Sequence, residues 1–245
     1  MLLSAIILAG GEDNDRLPNK PLIKINGKPM IKYVIDALKE TGRVDKILVV
    51  GKKNLLKPHI KNDVYKIIES TESLIDNVMI GINELRNERR VLILTCDIPL
   101  ITSEAILDFI EKAEETECDF CYPIVKKELN DQKYPEAKRT YARLKEGIFT
   151  GGNIVYINPR IMEKCMDKAK EMVMYRKKPL KLCSILGWRF VLQLLLGVLT
   201  IPKLERRVSE MFDIKVKAII SDYPEIGNDV DKPDDVVMVR NYLSG

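Results

Sequence analysis

The chain has 245 residues, 46% hydrophobic and 31% charged, with 40 Lys and Arg against 36 Asp and Glu for a net charge of +4. That much Ile, Leu and Val can bury enough surface to offset chain entropy, which excludes a disordered protein, and the length suits one large domain or two small ones. A small positive charge with no basic tail argues against nucleic acid as the partner and leaves anionic small molecules open.

Met1-Leu2-Leu3-Ser4 carries no basic segment and no small-residue cleavage site, so no secretory leader is expected. The most apolar stretch, Ile185 to Ile201, is interrupted by Arg189 and Gln193 and falls short of the ~18–20 clean residues that cross a bilayer. Five cysteines (Cys96, Cys118, Cys121, Cys165, Cys183) in a long chain suit reduced thiols, so a cytoplasmic protein is expected. Cys118 and Cys121 form a C-x-x-C, but the run Cys118 to Val125 reads as a strand and would set the two thiols on opposite faces. With His59 as the sole histidine, neither zinc nor redox chemistry is expected there.

Taken in chain order, Ser4 to Ala9 is a continuous apolar run ended by Gly10-Gly11, the pattern of a buried parallel strand. Pro29 opens a helix whose apolar face is Met30, Ile31, Val34, Ile35 and Leu38. Lys46 to Val50 is the second strand. Leu74, Ile75, Val78, Ile82 and Leu85 mark a helix, Val91 to Thr95 a strand, and Ser103 to Glu115 another helix. After about residue 118 the pattern changes to strands at Cys118 to Val125, Thr140 to Lys145 and Asn153 to Ile157. Pro159 to Phe212 then reads as helical with breaks, followed by a strand at Ile214 to Ile220 and a closing helix at Asp234 to Leu243. The expected fold is α/β: a Rossmann-like mixed, mostly parallel sheet with helices on both faces, in one domain spanning 1–245 with a helical insertion at about 159–212.

Three clusters carry chemistry. In the first loop, Leu8-Ala9-Gly10-Gly11 is followed by Arg16 and then Lys20-Pro21-Leu22. Glycines at a strand end bring backbone N–H groups close to phosphate oxygens, and a cation fixed by Pro21 can neutralise charge on a phosphoryl group in transit. The spacing fits neither G-x-x-x-x-G-K-[ST] nor G-x-G-x-x-G. Second, Asp97 follows the strand Val91 to Thr95 and belongs at the same sheet edge as Gly10, where one or two carboxylates suffice to bring magnesium to substrate phosphates. Third, Asp229 and Asp231 lie between the last strand and last helix and can return to that edge, with Asp234 and Asp235 left as first-turn partners of the helix dipole.

Together these pieces resemble the nucleotidyltransferase fold of molybdenum-cofactor guanylyl- and cytidylyltransferases, methylerythritol-phosphate cytidylyltransferases and sugar-phosphate nucleotidyltransferases, and within it the MobA-like NTP transferases. The resemblance covers roughly residues 4 to 110 and 213 to 243. It implies that Leu8, Ala9, Gly10 and Gly11 wrap the nucleotide, with Lys20 and Arg16 at the phosphates. It also implies that Ser73 and Asn77 line the base pocket, that Asp97 and Asp229 with Asp231 hold Mg2+, and that Gly151, Gly152 and Asn153 face a phosphorylated small-molecule acceptor. Two departures stand out: Arg16 lies five residues after Gly11 where the family places its arginine four after, and Glu12, Asp13 and Asp15 crowd the loop with acids. Those acids imply modest affinity for free NTP or a strong dependence on magnesium. A GT-A glycosyltransferase shares the sheet, but Asp97-Ile98-Pro99 lacks that class's D-x-D; a nucleotide-binding module without catalysis is the other alternative. The apolar segment 180–199 reads as a core or homodimer-interface helix, with a lid or a membrane-surface contact as the sharper reading.

Overall fold

The computed structural model describes residues 2–10, 17–175 and 187–244. Gly11, Arg16, the loop acids Glu12, Asp13 and Asp15, and the 180–186 part of the apolar segment lie outside the described residues.

The first half is built on four parallel strands, β1 (Leu3–Ala9), β4 (Val44–Gly51), β5 (Lys66–Glu69) and β6 (Val91–Thr95), running β5-β4-β1-β6 across the sheet. A two-residue pair, β2 (Lys24–Ile25) and β3 (Lys28–Pro29), forms a separate small hairpin. Burial on both faces explains the unbroken apolar runs. Ala5, Ile7, Ile47, Val49, Leu92 and Leu94 face one core, and Ile6, Leu8, Leu48, Val50, Val91 and Ile93 face the other. Helices Met30–Glu40, Lys53–Ile60 and Ser103–Glu114 cover the first face and helix Leu74–Glu84 the second. The helix Lys53–Ile60 and the strand β5 have no counterpart in the sequence reading.

Beyond β6 the sheet becomes mixed. β7 (Phe120–Lys126) pairs in parallel with β11 (Val216–Ser221), while β9 (Gly147–Gly151) and β10 (Ile154–Ile157) run antiparallel to it, and β8 (Ala142–Leu144) closes the edge on β9. β10 also runs antiparallel to β6, joining the two halves into one nine-stranded sheet among the described residues. Between β9 and β10 the register against β7 slips by two residues, from Ile124↔Gly151 to Cys121↔Tyr156, so Gly152 and Asn153 bulge out of the ladder. β7 begins at Phe120, so Cys118 precedes it and strand alternation does not reach that thiol. Contrary to the opposite-face expectation, Cys118 packs against the same core that contains Cys121.

The late helical region resolves into Met162–Tyr175, Trp188–Leu195 and Ile201–Phe212, and the closing helix is Pro233–Tyr242. Phe190 and Leu194 pack with Leu144, Phe149, Leu199 and Ile201, whereas Trp188, Leu192, Leu195, Leu196 and Val198 are exposed. No helix among the described residues is long and apolar enough to cross a membrane.

Candidate functional site

The carboxyl ends of β1 and β6 are neighbours, because Leu8 pairs with Thr95 across the parallel ladder. The chain leaves β1 at Gly10, and a side chain there would collide with Ser70, just past the end of β5; only glycine fits so close an approach. Asn77 stands beside it, its Nδ2 3.4 Å from where a Cβ on Gly10 would sit. The Asn77 amide brackets the loop after β5: its Nδ2 donates to the Thr71 carbonyl (2.9 Å) and its Oδ1 accepts from the Thr71 N–H (2.7 Å). Ser73 caps the helix Leu74–Glu84 by accepting from the Asp76 N–H. Leu74, next in the chain, is the residue of that turn that lines the cavity beside β1.

Lys20 sits in a single 3-10 turn, Lys20–Leu22, with Asn19 in the left-handed region (φ 53°) and Pro21 fixing the turn. Its Nζ donates to Asp97 Oδ2 and, at 3.1 Å, to Asp231 Oδ1. Asp97 follows β6 as expected, and its backbone carbonyl accepts from the Val230 N–H at 2.9 Å, which stitches the late 229–231 loop to the end of β6. Leu17, Ile25 and Met30 share a core with Val230, Val236 and Val239, so the first loop and the closing helix are packed on each other.

The 229–231 loop is anchored from both sides. Buried Asn228 donates to Asn130 Oδ1 and to the Pro224 carbonyl, both at 2.8 Å, and so depends on the short helix Lys127–Lys133. On the other side Asp235 accepts from the N–H groups of Asp231 (2.9 Å) and Lys232 (3.0 Å), closing the capping box of helix Pro233–Tyr242.

Asp97, Asp229 and Asp231 thus converge: each offers a carboxylate oxygen within 4.8 Å of the others'. Asp97 Oδ1 is shielded from water and has no hydrogen-bond partner. Three hard oxygen donors with one lone pair unclaimed fit a magnesium-sized cation. Arg139 pairs with Asp229 and was not foreseen; it comes from the Lys-rich connection ahead of β8, 90 residues away in sequence, where no motif marks it.

The charges shape one another. Burial alone would lower the Lys20 ammonium, but Asp97 first and Asp231 second outweigh it and hold its pKa well above the ordinary lysine value. Burial pushes the Asp229 carboxyl up; the Arg139 guanidinium opposes this, and the Asp97 and Asp231 carboxylates add to the rise. For Asp231 burial acts upward too, but the Lys20 ammonium and a hydrogen bond with Asp229 bring it below the usual carboxylate range.

A cavity of about 300 Å³ opens on this group, lined by Leu8, Ala9, Gly10, Lys20, Thr95 and Asp97 together with Lys52 and Leu55 from the start of helix Lys53–Ile60. That is the lower end of the size range of small-molecule sites, about 300–1,000 Å³. Gly151, Gly152 and Asn153 lie at the bulge. A side chain on Gly151 would strike the Tyr122 hydroxyl, and one on Gly152 would meet Pro123 Cγ at 2.8 Å. The Asn153 carbonyl accepts from the Thr95 N–H at 3.2 Å, so the bulge is held beside the end of β6. Lys20, Asp97, Asp229 and Asp231 therefore meet at one point. Gly10 borders it and Gly152 and Asn153 flank the Thr95 side, whereas Ser73 and Asn77 do not line the cavity: Ser73 caps the helix whose first residue, Leu74, lines it, and Asn77 holds Thr71.

The sequence matches the description of a MobA-like NTP transferase domain over residues 5–184. The bifunctional protein GlmU of Thermoanaerobacter pseudethanolicus is 36% identical over 115 residues, which is 44% of this chain and 24% of GlmU; the chain spans only about a quarter of that relative. A hypothetical transferase from Thermus thermophilus superposes with a TM-score of 0.87 at 35% identity, covering 96% of this chain and 100% of that one. A CMP:2-keto-3-deoxy-manno-octonic acid synthetase complexed with CTP superposes with a TM-score of 0.67 at 15% identity over 100% and 99% of the two chains, which shows the shared fold. A glycine-ended first strand, a lysine turn and a carboxylate after the fourth parallel strand, set in a sequence matched over residues 5–184, place this chain in the MobA-like NTP transferase domain family.

Proposed function

We propose that the protein is a magnesium-dependent nucleotidyltransferase that moves a nucleotidyl group from a nucleoside triphosphate to a phosphorylated small molecule, with residues 1–245 acting as one catalytic domain in the cytoplasm. The observation that carries this reading is the meeting of Lys20 with Asp97, Asp229 and Asp231 at the mouth of the cavity beside Gly10.

In this reading the backbone from Leu8 to Gly11 cradles the nucleotide, and Ser73 and Asn77 shape the wall on which the base rests. Lys20, with Arg16 from the same loop, meets the phosphate oxygens and leaves its acidic partners when the triphosphate arrives. Asp97, Asp229 and Asp231 hold the magnesium ion, which when bound supplies positive charge to phosphate oxygens. Arg139 pairs with Asp229 and holds that carboxylate in place. An oxygen of the acceptor phosphate, placed by Gly151, Gly152 and Asn153, attacks the α-phosphorus in line. The bond from that phosphorus to the bridging oxygen of the β-phosphate breaks, and pyrophosphate leaves with the electron pair. The attacking oxygen is already ionised, so positioning and charge neutralisation carry the catalysis and no general base is needed.

The test is pyrophosphate release from ATP, GTP, CTP and UTP with magnesium and a panel of phosphate monoesters, for the native chain and for Asp97→Asn. Release that depends on acceptor and metal and is lost in the variant supports the reading. Nucleotide binding with no release under any pairing favours a binding module instead.

A further inference from the structure

A second cavity, of about 450 Å³, lies against the first and shares Leu8, Leu74 and Thr95 with it. Its floor is the sheet face of β6, β10, β7 and β11, and its roof is helices Met162–Tyr175 and Ile201–Phe212, from which Ala169 and Val208 project into it. Among the described residues nearly all of its walls are hydrocarbon. Besides the Cys165 thiol in the roof, the polar side chains are Thr95 and Asn153, where it joins the nucleotide cavity. There Thr95 Oγ1 and Asn153 Nδ2 are shielded from water and have no hydrogen-bond partner.

A buried donor left unpaired costs about 1–3 kcal/mol, so two of them on residues that line the cavity junction favour a ligand whose oxygens supply the missing acceptors. A hydroxyl and an amide N–H both donate to phosphate or ester oxygens. Beyond them the described walls offer only the weak Cys165 thiol to the hydroxyls of a sugar or polyol, most of which would be stripped of water without compensation. An apolar chain fills the same space with a gain for every methylene taken out of water.

The geometry points to an acceptor that is a phosphate monoester of an apolar chain, its head at Thr95 and Asn153 facing the acids and its tail in the second cavity. This inference rests on the nucleotidyltransferase reading, since that reading makes the junction the place where an acceptor phosphate meets the α-phosphorus.

The experiment measures binding of n-butyl, n-hexyl and n-octyl phosphate, with glycerol phosphate as the polar control, to the full chain by calorimetry. A thermal-shift titration with NTP and magnesium runs alongside. The expected result is a Kd that falls about fourfold per added methylene, the equivalent of ~0.8 kcal/mol each, with glycerol phosphate binding far more weakly than octyl phosphate. Ala169→Trp and Val208→Trp, which fill the tail space, abolish the chain-length dependence while keeping the NTP-induced shift. If either variant fails to fold, the series on the native chain decides alone. A Kd independent of chain length, or a glycerol phosphate affinity equal to that of octyl phosphate, with the NTP shift intact, overturns the inference and leaves the nucleotidyltransferase reading standing. A steep chain-length series with no response to any NTP removes the nucleotidyltransferase reading and the acceptor role with it.

Discussion

Replacing Lys20 by Met removes the ammonium that ties Asp97 to Asp231 while keeping a side chain of similar length. Lys20 and Asp97 are 20% and 15% exposed, whereas Asp231 is 70% exposed, so the Lys20–Asp97 pair carries most of the effect. Truncating one partner of a buried ion pair costs ~3–5 kcal/mol, and the residual exposure here puts the cost near ~3 kcal/mol. At ~2–4 °C per kcal/mol for a chain of this length, the melting temperature falls by ~6–12 °C without metal. Magnesium then raises the melting temperature of the variant by more than that of the native protein, because three carboxylates face the ion with one competing cation fewer. Turnover drops by ~10²–10³, the usual effect of losing one preorganised charge at a reacting phosphate. Calorimetric melting with and without magnesium, beside a pyrophosphate-release assay, reads all three. An unaltered melting temperature, or turnover within a few-fold of native, would refute the placement of Lys20 between the acids and the substrate.

Gly10→Ala drives a methyl group into Ser70 and costs ~1–3 kcal/mol with loss of NTP binding; adding Ser70→Gly restores both, as melting and nucleotide titration will show. Phe109→Ala empties a fully buried site in helix Ser103–Glu114 and destabilises by ~3–5 kcal/mol in denaturant melts, with KM for NTP unchanged. Burial favours a higher pKa for Asp63, but hydrogen bonds and charge from Lys32 and Lys39 hold its carboxyl below the ordinary aspartate range. A depressed folded-state pKa stabilises above the unfolded value and ceases to do so as pH falls through the folded one. The stability gap between native protein and Asp63→Asn is therefore full at pH 6 and closes below about pH 4. Burial drives the Cys96 thiol far above its usual range, with Asp97 adding to the rise and Lys20 opposing it; iodoacetamide at pH 8 therefore leaves Cys96 unlabelled in the native state and labels it in urea, by peptide mapping.

The parallel half of the sheet was legible because strands buried on both faces must be apolar throughout, and Ile6 and Ile7 are both fully buried, one on each face. Helix Lys53–Ile60 was not, because only Leu56 and Ile60 reach the core and Lys53, Lys57 and Pro58 obscure its period. β9 was hidden for a related reason: its register depends on the slip at Gly152-Asn153, which is set by β7 and β10 and leaves no local periodicity. In the site, Lys20, Asp97 and Asp231 could be found because each stands on a short loop at an element's end, beside glycine or proline. Arg139 could not, since nothing near it in sequence announces a partner 90 residues on. Thr95 was visible only as the end of a strand, and its place in the lining of two cavities is a property of packing.

The bond from the Val230 N–H to the Asp97 carbonyl, with Val230 itself fully enclosed, joins segments made at very different moments of translation. Lys20 and Asp97 are 77 positions apart and Lys20 and Asp231 are 211 apart, so a ribosome can deliver β1, β4, β5 and β6 as an assembled sheet long before the second and third acids exist. A nascent chain, or one clipped by a protease after Gly227, has one carboxylate of the three. The three-carboxylate cluster thus assembles only once residues 229–231 have been made.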